Sequence, residues 1–171
     1  MTTLFVENIS KQDCILGWHL DPKAHPTVLI QICDVNDEFA TPKHRADFVR
    51  VVQAKFNDVE DPFDMDCIGE THARMIADAL RQAQRDRHHV VVHCFAGICR
   101  SGAVAEVGTM MGFEVPPGRS RIPNSLVKRR LAEKLGLAYD PLKSPFATLA
   151  FDPAPYLVGK DDEHKESDDP V

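Results

Sequence analysis

The sequence has no long hydrophobic run, no recognisable leader and no excess of basic charge. No apolar stretch approaches the roughly 20 residues that a membrane-spanning helix needs. The residues after Met1 lack the basic and apolar regions of a signal peptide. The net charge is −6, whereas nucleic-acid-binding domains are usually basic. We therefore expect a protein that neither enters a membrane nor binds nucleic acid.

Cysteine is sparse and odd in number. The chain has five cysteines, and an odd count without a secretion signal argues against a disulfide framework and for a reducing, cytoplasmic location. The spacing of histidines and cysteines across residues 88–99 matches no zinc motif. We expect neither a metal ion nor another cofactor.

The length of 171 residues suits one folded domain. Prolines recur from Asp140 onward, and residues 160–171 hold six acidic residues and two lysines. We expect a domain over residues 1–150 and a disordered acidic tail over residues 151–171. The sequence leaves the oligomeric state open.

Apolar residues alternate between the spacing of strands and that of helices. Apolar or alternating stretches predict strands at residues 28–32, 49–56 and 90–92. Helical spacing predicts helices at residues 70–87, 101–111 and about 124–135. This order predicts an α/β fold with a central, mostly parallel sheet flanked by helices. Ligands of such sheets bind beyond the carboxyl ends of the strands.

One short run lies at such a strand end: His93-Cys94-Phe95-Ala96-Gly97-Ile98-Cys99-Arg100-Ser101. A compact loop that enters a helix directs unpaired backbone N–H groups inward, which suits a phosphate dianion. Gly97 allows a backbone conformation that a side chain would restrict. The loop residues from Phe95 to Cys99, together with Arg100, are therefore the predicted phosphate-binding residues.

Three side chains of this run suit phosphoryl transfer. The dipoles that bind an anion also favour the thiolate of Cys94, which is the nucleophilic form of cysteine. The planar guanidinium of Arg100 can bind two phosphate oxygens, and this interaction strengthens as charge develops on them. The hydroxyl of Ser101 can donate a hydrogen bond to the Cys94 sulfur and help it leave.

The pattern His-Cys-x5-Arg-Ser resembles the signature of the protein tyrosine phosphatase superfamily. The form His-Cys-x-Ala-Gly-Ile-x-Arg-Ser is similar to its dual-specificity branch and to small tyrosine phosphatases of bacteria and phages. The resemblance covers about residues 28–136. It implies that Cys94 is the nucleophile, that Arg100 binds phosphate, that Ser101 assists hydrolysis and that His93 tunes Cys94.

The resemblance also implies a substrate class. It indicates hydrolysis of phosphomonoesters through a phosphocysteine intermediate, on protein phosphotyrosine and in some relatives on phosphoserine or phosphothreonine. Two alternatives stay open. One is a phosphatase of a non-protein substrate, such as an RNA 5′-phosphate, an inositol phosphate or a lipid. The other is an inactive phosphate-binding module.

The leaving oxygen of a phosphoester needs a proton from an acid. Members of the family place an Asp on a loop upstream of the cysteine, and residues 57–69 offer four. Phe56-Asn57-Asp58 is similar to the Phe-x-Asp run of related phosphatases, whereas Val59-Glu60-Asp61 resembles another dual-specificity pattern. We favour Asp58 as the general acid and keep Asp61 as the second choice.

Two further residues, Asn124 and Cys99, are candidates for supporting roles. Arg119-Ser-Arg121-Ile-Pro-Asn124 is similar to a stretch of dual-specificity phosphatases in which the Asn braces the active-site loop, although Asn124 would serve equally as a plain helix N-cap. The spacing Cys94-x4-Cys99 resembles that of low-molecular-weight tyrosine phosphatases. Cys99 is thus a candidate for trapping an oxidised Cys94 as a reversible disulfide; the alternative is a small loop side chain.

Overall fold

The computed structural model describes residues 3–139. The predicted tail at residues 151–171, and the last part of the predicted domain, lie outside the described residues. In chain order the elements are β1 (Val6–Ser10), α1 (Lys11–Leu16), β2 (Thr27–Cys33), a 3-10 turn (Arg45–Asp47), β3 (Arg50–Lys55), α2 (Glu70–Arg85), β4 (His89–Cys94), α3 (Arg100–Met110) and α4 (Ser125–Leu135).

The four strands form one sheet in the order β1-β4-β2-β3, and every neighbouring pair is parallel. The predicted α/β fold with a mostly parallel sheet is therefore confirmed. Both central strands, β2 and β4, are buried along their whole length. This is why their sequences read as near-continuous apolar runs rather than as alternating ones.

The larger core lies between the sheet and the helices α2, α3 and α4. Side chains such as Ile30 and Val92 meet Ile76 and Leu80 of α2 and Val104 of α3 there. A smaller apolar cluster covers the opposite face of the sheet, where Ile9, Leu29 and Val91 pack against Cys14 and Phe48. Because neighbouring strands are all parallel, their carboxyl ends lie along the same edge of the sheet.

The predicted helices are observed with bounds that shift by one or two residues. Helix α4 begins and ends as its sequence indicates, because the Asn124 side chain accepts a hydrogen bond from Val127 N at 3.0 Å and Gly136 adopts a left-handed φ of +67°. Strand β1 and helix α1 were not predicted. Among residues 3–139, no helix is both long and apolar enough to cross a bilayer.

Candidate active site

The loop between β4 and α3 brings three groups to one sulfur atom. Cys94 ends β4 and Arg100 begins α3. Cys94 is 2% exposed. Its Sγ lies 3.2 Å from Ser101 Oγ and accepts a hydrogen bond from Gly97 N at 3.3 Å. A backbone N–H, a hydroxyl and the N-terminus of α3 therefore lie close to this sulfur.

Strand β1 holds this loop from the side. Gly97 has a φ of +77° and lies directly against the backbone of Ile9 and Ser10. The buried Asn8 amide donates to Gly97 O at 2.7 Å and to Ser120 O at 3.0 Å. Asn8 therefore ties the loop to the segment before α4. Sequence reasoning did not identify Asn8, since its partners are far away in the chain.

The Arg100 guanidinium lies almost entirely inside the protein and is held at one nitrogen. Its Nη1 donates to the carbonyl oxygen of Phe56 at 2.6 Å and lies 2.7 Å from Asp34 Oδ1. Its Nε is buried and has no hydrogen-bond partner. The arginine predicted to bind phosphate thus keeps a buried, unpaired Nε–H, and Asp34 is a partner of Arg100 that sequence reasoning did not identify.

His93 is the innermost member of a chain of buried polar side chains. The Gln31 amide nitrogen donates to Ala40 O at 2.9 Å and lies 3.1 Å from His93 Nε2, while Gln31 Oε1 accepts from Gln53 Nε2 at 2.9 Å. His93 Nε2 is therefore the acceptor of that amide. Burial lowers the pKa of His93 to about 4, so the ring is neutral at physiological pH.

The structure separates the two candidate acids. The Asp58 carboxylate accepts a hydrogen bond from Asn124 Nδ2 at 2.8 Å and lies within hydrogen-bonding reach of Cys99. Asp61 accepts a hydrogen bond from Phe63 N within its own exposed loop and forms no hydrogen bond or ion pair with residues 94–101. Only Asp58 is thus placed beside the loop that holds Cys94.

Asn124 contacts both the start of α4 and the segment around Asp58. Its side chain caps α4 and also donates to Val59 O at 3.1 Å, next to its bond with Asp58. Its backbone N donates to Cys99 O at 3.1 Å. Asn124 therefore connects the start of α4 to the segment of Asp58 and to the loop that follows Cys94.

The remaining loop residues differ in exposure. Phe95 and Ala96 are exposed, whereas Ile98 and Cys99 are half-buried. Burial, together with the charge of Asp58, raises the pKa of Cys99 to about 11. The five cysteines are free thiols. Within the described residues, no group of three or more His, Cys, Asp or Glu side chains is arranged to hold a metal ion.

No family model matches the sequence, and no curated protein matches it. Several solved structures, however, match the fold of this chain. The chain is 19% identical to the human tyrosine phosphatase-like serine/threonine/tyrosine-interacting protein, with a TM-score of 0.51 over 72% of this chain and 86% of that one. It is also 19% identical to a mouse protein assigned as a dual specificity phosphatase, solved in complex with zinc tungstate, with a TM-score of 0.50 over 78% of this chain and 82% of that one. The chain therefore shares its fold with these tyrosine phosphatase-like and dual specificity phosphatase structures.

Proposed function

We propose that this protein is a cysteine-dependent phosphatase that hydrolyses phosphomonoesters through a phosphocysteine intermediate. One observation carries the proposal. The Cys94 sulfur lies between Ser101 Oγ and the N–H of Gly97, and the loop that surrounds it ends at a buried arginine with an unpaired Nε. A nucleophile, a loop suited to binding an anion and a fixed cation are therefore carried by one short segment between β4 and α3.

In the first step, the Cys94 thiolate attacks the phosphorus atom of the ester. The sulfur–phosphorus bond forms as the bond to the leaving oxygen breaks, and that oxygen takes a proton from Asp58. Arg100 and the loop N–H groups bind the equatorial oxygens, where their charge stabilises the transition state. Asn124, at 2.8 Å from Asp58, holds the carboxyl group at the edge of the loop.

In the second step, water attacks the phosphocysteine and gives a proton to the Asp58 carboxylate. The sulfur–phosphorus bond breaks and inorganic phosphate leaves. The departing Cys94 thiolate accepts a hydrogen bond from Ser101 Oγ, which is 3.2 Å away. His93, neutral and fixed by Gln31, keeps the backbone of the nucleophile in place.

We propose protein phosphotyrosine as the principal substrate, with phosphoserine and phosphothreonine as further candidates. The loop residues Phe95, Ala96, Ile98 and Cys99 add no cation beside Arg100. Highly charged inositol phosphates would need more positive charge than this loop provides. Phe95 of this loop is exposed, and its apolar ring suits contact with an aromatic or peptide group better than contact with a polyanion.

The test is hydrolysis of an aryl phosphate in the presence of a chelator, by wild type and by Cys94→Ser. We expect wild type to be active without metal, the variant to be inactive, and acid-quenched wild type to carry phosphate on the peptide that contains Cys94. Tungstate binding without hydrolysis would instead identify an inactive phosphate-binding module. A panel of phosphopeptides, phosphoinositides and 5′-phosphorylated RNA then distinguishes the substrate classes.

A further inference from the structure

Asp34 is the first residue after β2, and its carboxylate forms an ion pair with the buried arginine of the candidate site. The Asp34 side chain is 45% exposed and the Arg100 side chain is 4% exposed, with 2.7 Å between Oδ1 and Nη1. Because β2 neighbours β4 in the sheet, the end of β2 lies beside the strand end that carries Cys94.

The second partner of Arg100 comes from the next strand. Phe56 is the first residue after β3, and its carbonyl oxygen accepts a hydrogen bond from the same Nη1 at 2.6 Å. Two strand ends therefore hold one nitrogen of the guanidinium. The buried Nε has no hydrogen-bond partner, and Nη2 forms no hydrogen bond with any residue in the described part of the chain. The guanidinium edge formed by Nε and Nη2 is therefore available to bind an oxyanion.

We propose that Asp34 is a positioning residue, which fixes the Arg100 guanidinium so that its Nε and Nη2 edge faces the phosphoryl group. The proposal rests on the proposed function. An unrestrained arginine side chain has rotamer entropy to lose when it binds an anion. Because the carboxylate and the carbonyl already restrict Nη1 in the free protein, less rotamer entropy is lost when the substrate binds.

The opposite role would leave a different signature. A carboxylate beside an anion site also repels the anion, and it could occupy the guanidinium in competition with phosphate. In that case removal of Asp34 would tighten the binding of a tetrahedral oxyanion. If Asp34 positions Arg100, its removal weakens binding. The sign of the change therefore distinguishes the two roles.

The chain offers a matched control on the same segment. Asp37 is a carboxylate three residues further on, and it pairs with Lys11 Nζ at 2.7 Å rather than with Arg100. Asp37→Ala removes the same charge from the same side of the molecule without touching the guanidinium. Comparison of Asp34→Ala with Asp37→Ala thus separates the contact with Arg100 from the general change in charge.

The experiment is calorimetric titration of the full chain with tungstate, combined with steady-state hydrolysis of an aryl phosphate. We expect Asp34→Ala to weaken tungstate binding and to lower kcat/KM by about 10-fold, because an ion pair with a buried arginine is worth more than an ion pair between two exposed side chains. Asp37→Ala should change both by less than about 2-fold, as is typical of a surface ion pair. Unchanged or tighter tungstate binding in Asp34→Ala would overturn the proposal.

A conservative variant and the unfolding midpoint complete the test. Asp34→Asn keeps an acceptor oxygen at the same reach, and we expect it to regain part of the affinity that Asp34→Ala loses; a loss as large as that of alanine contradicts positioning through Nη1. Equal urea midpoints for Asp34→Ala and Asp37→Ala exclude a folding defect. Tungstate titration remains informative if wild type lacks hydrolysis, so failure of this proposal and failure of the proposed function are distinguishable.

Discussion

Gly97 lies so close to Ile9 that a Cβ atom on it would come within 2.4 Å of the Ile9 carbonyl carbon. Gly97 also has a φ of +77°, whereas Gly136 has a φ of +67° with open space around it. We expect Gly136→Ala to cost about 1–2 kcal/mol in the free energy of unfolding through backbone strain alone. Gly97→Ala should cost about 2–5 kcal/mol, because strain and overlap add.

Urea unfolding of both variants measures these costs, and tungstate titration shows whether the loop still binds an oxyanion. Gly97→Ala should lose tungstate binding, while Gly136→Ala keeps it. Equal costs for the two alanines would mean that the loop moves away from β1 without penalty.

The contact between Asn124 and Asp58 predicts which carboxyl group protonates the leaving group. Asp58→Asn should lower turnover by about 10²–10⁴ with a substrate whose leaving group is poor, such as phenyl phosphate, and less with an activated aryl phosphate. Asp61→Asn is the matched control, since Asp61 contacts only its own exposed loop. Were Asp61→Asn alone to impair turnover, the assignment of the acid would be wrong.

The hydroxyl of Ser101, 3.2 Å from Cys94 Sγ, predicts a change of rate-limiting step. Without it, the thiolate leaves phosphocysteine more slowly. Ser101→Ala should lower steady-state turnover by about 10–100-fold, as expected for a hydrogen bond to a charged group. Stopped-flow release of an aryl alcohol should then show a burst of one equivalent per site. Slow turnover without a burst would place the role of Ser101 before the first step.

The buried neutral imidazole of His93 predicts a loss of stability in acid. Its pKa falls from 6.5 to about 4 in the folded protein, so between these values the unfolded chain binds more protons than the folded one. The contribution is present above pH 6.5 and is lost as the pH falls toward 4, by about 3 kcal/mol in total. Urea unfolding across this range, compared with His93→Gln, isolates it. An equal acid dependence in the variant would contradict the burial argument.

The raised pKa of Cys99 sets the conditions for its proposed redox role. Peroxide converts Cys94 to a sulfenic acid, the Cys99 sulfur attacks that sulfur, and a disulfide forms with release of water. Because burial keeps Cys99 protonated up to about pH 11, we expect the trapping step to be slow at neutral pH and to accelerate with rising pH. Peptide mass spectrometry detects the linkage, which dithiothreitol should reverse. If treated protein contains no such linkage, Cys99 is an ordinary loop residue.

Elements with a strong local signal were predictable from the sequence. The strands β2 and β4 read as apolar runs because both of their faces are buried, and α4 carries its own start and stop signals in Asn124 and Gly136. The order of these elements was enough to predict a parallel sheet with Cys94 at a strand end. For the same reason the loop from Cys94 to Arg100 could be located before its geometry was known.

Strand β1 and Asp34 were not predictable in the same way. Within β1, Glu7 and Asn8 are polar and buried, so the strand shows neither an apolar run nor alternation. Their burial is compensated by Arg119, at 2.8 Å from Glu7, and by Gly97, partners about a hundred residues away that only the folded chain brings near. Helix α1 did have a usable signal, a capping box between Ser10 and Asp13.

The parallel arrangement of the four strands has a consequence for how the candidate site forms during folding. Ser10, Asp34, Phe56 and Cys94 stand at or just beyond the ends of four different strands, so no single strand–helix unit of the chain contains all four positions. The pairing of β1 with β4 joins segments more than eighty residues apart, a closure that is slow in folding. Oxyanion affinity should consequently be the last property to return during refolding, and a bound tungstate would report completion of the native sheet.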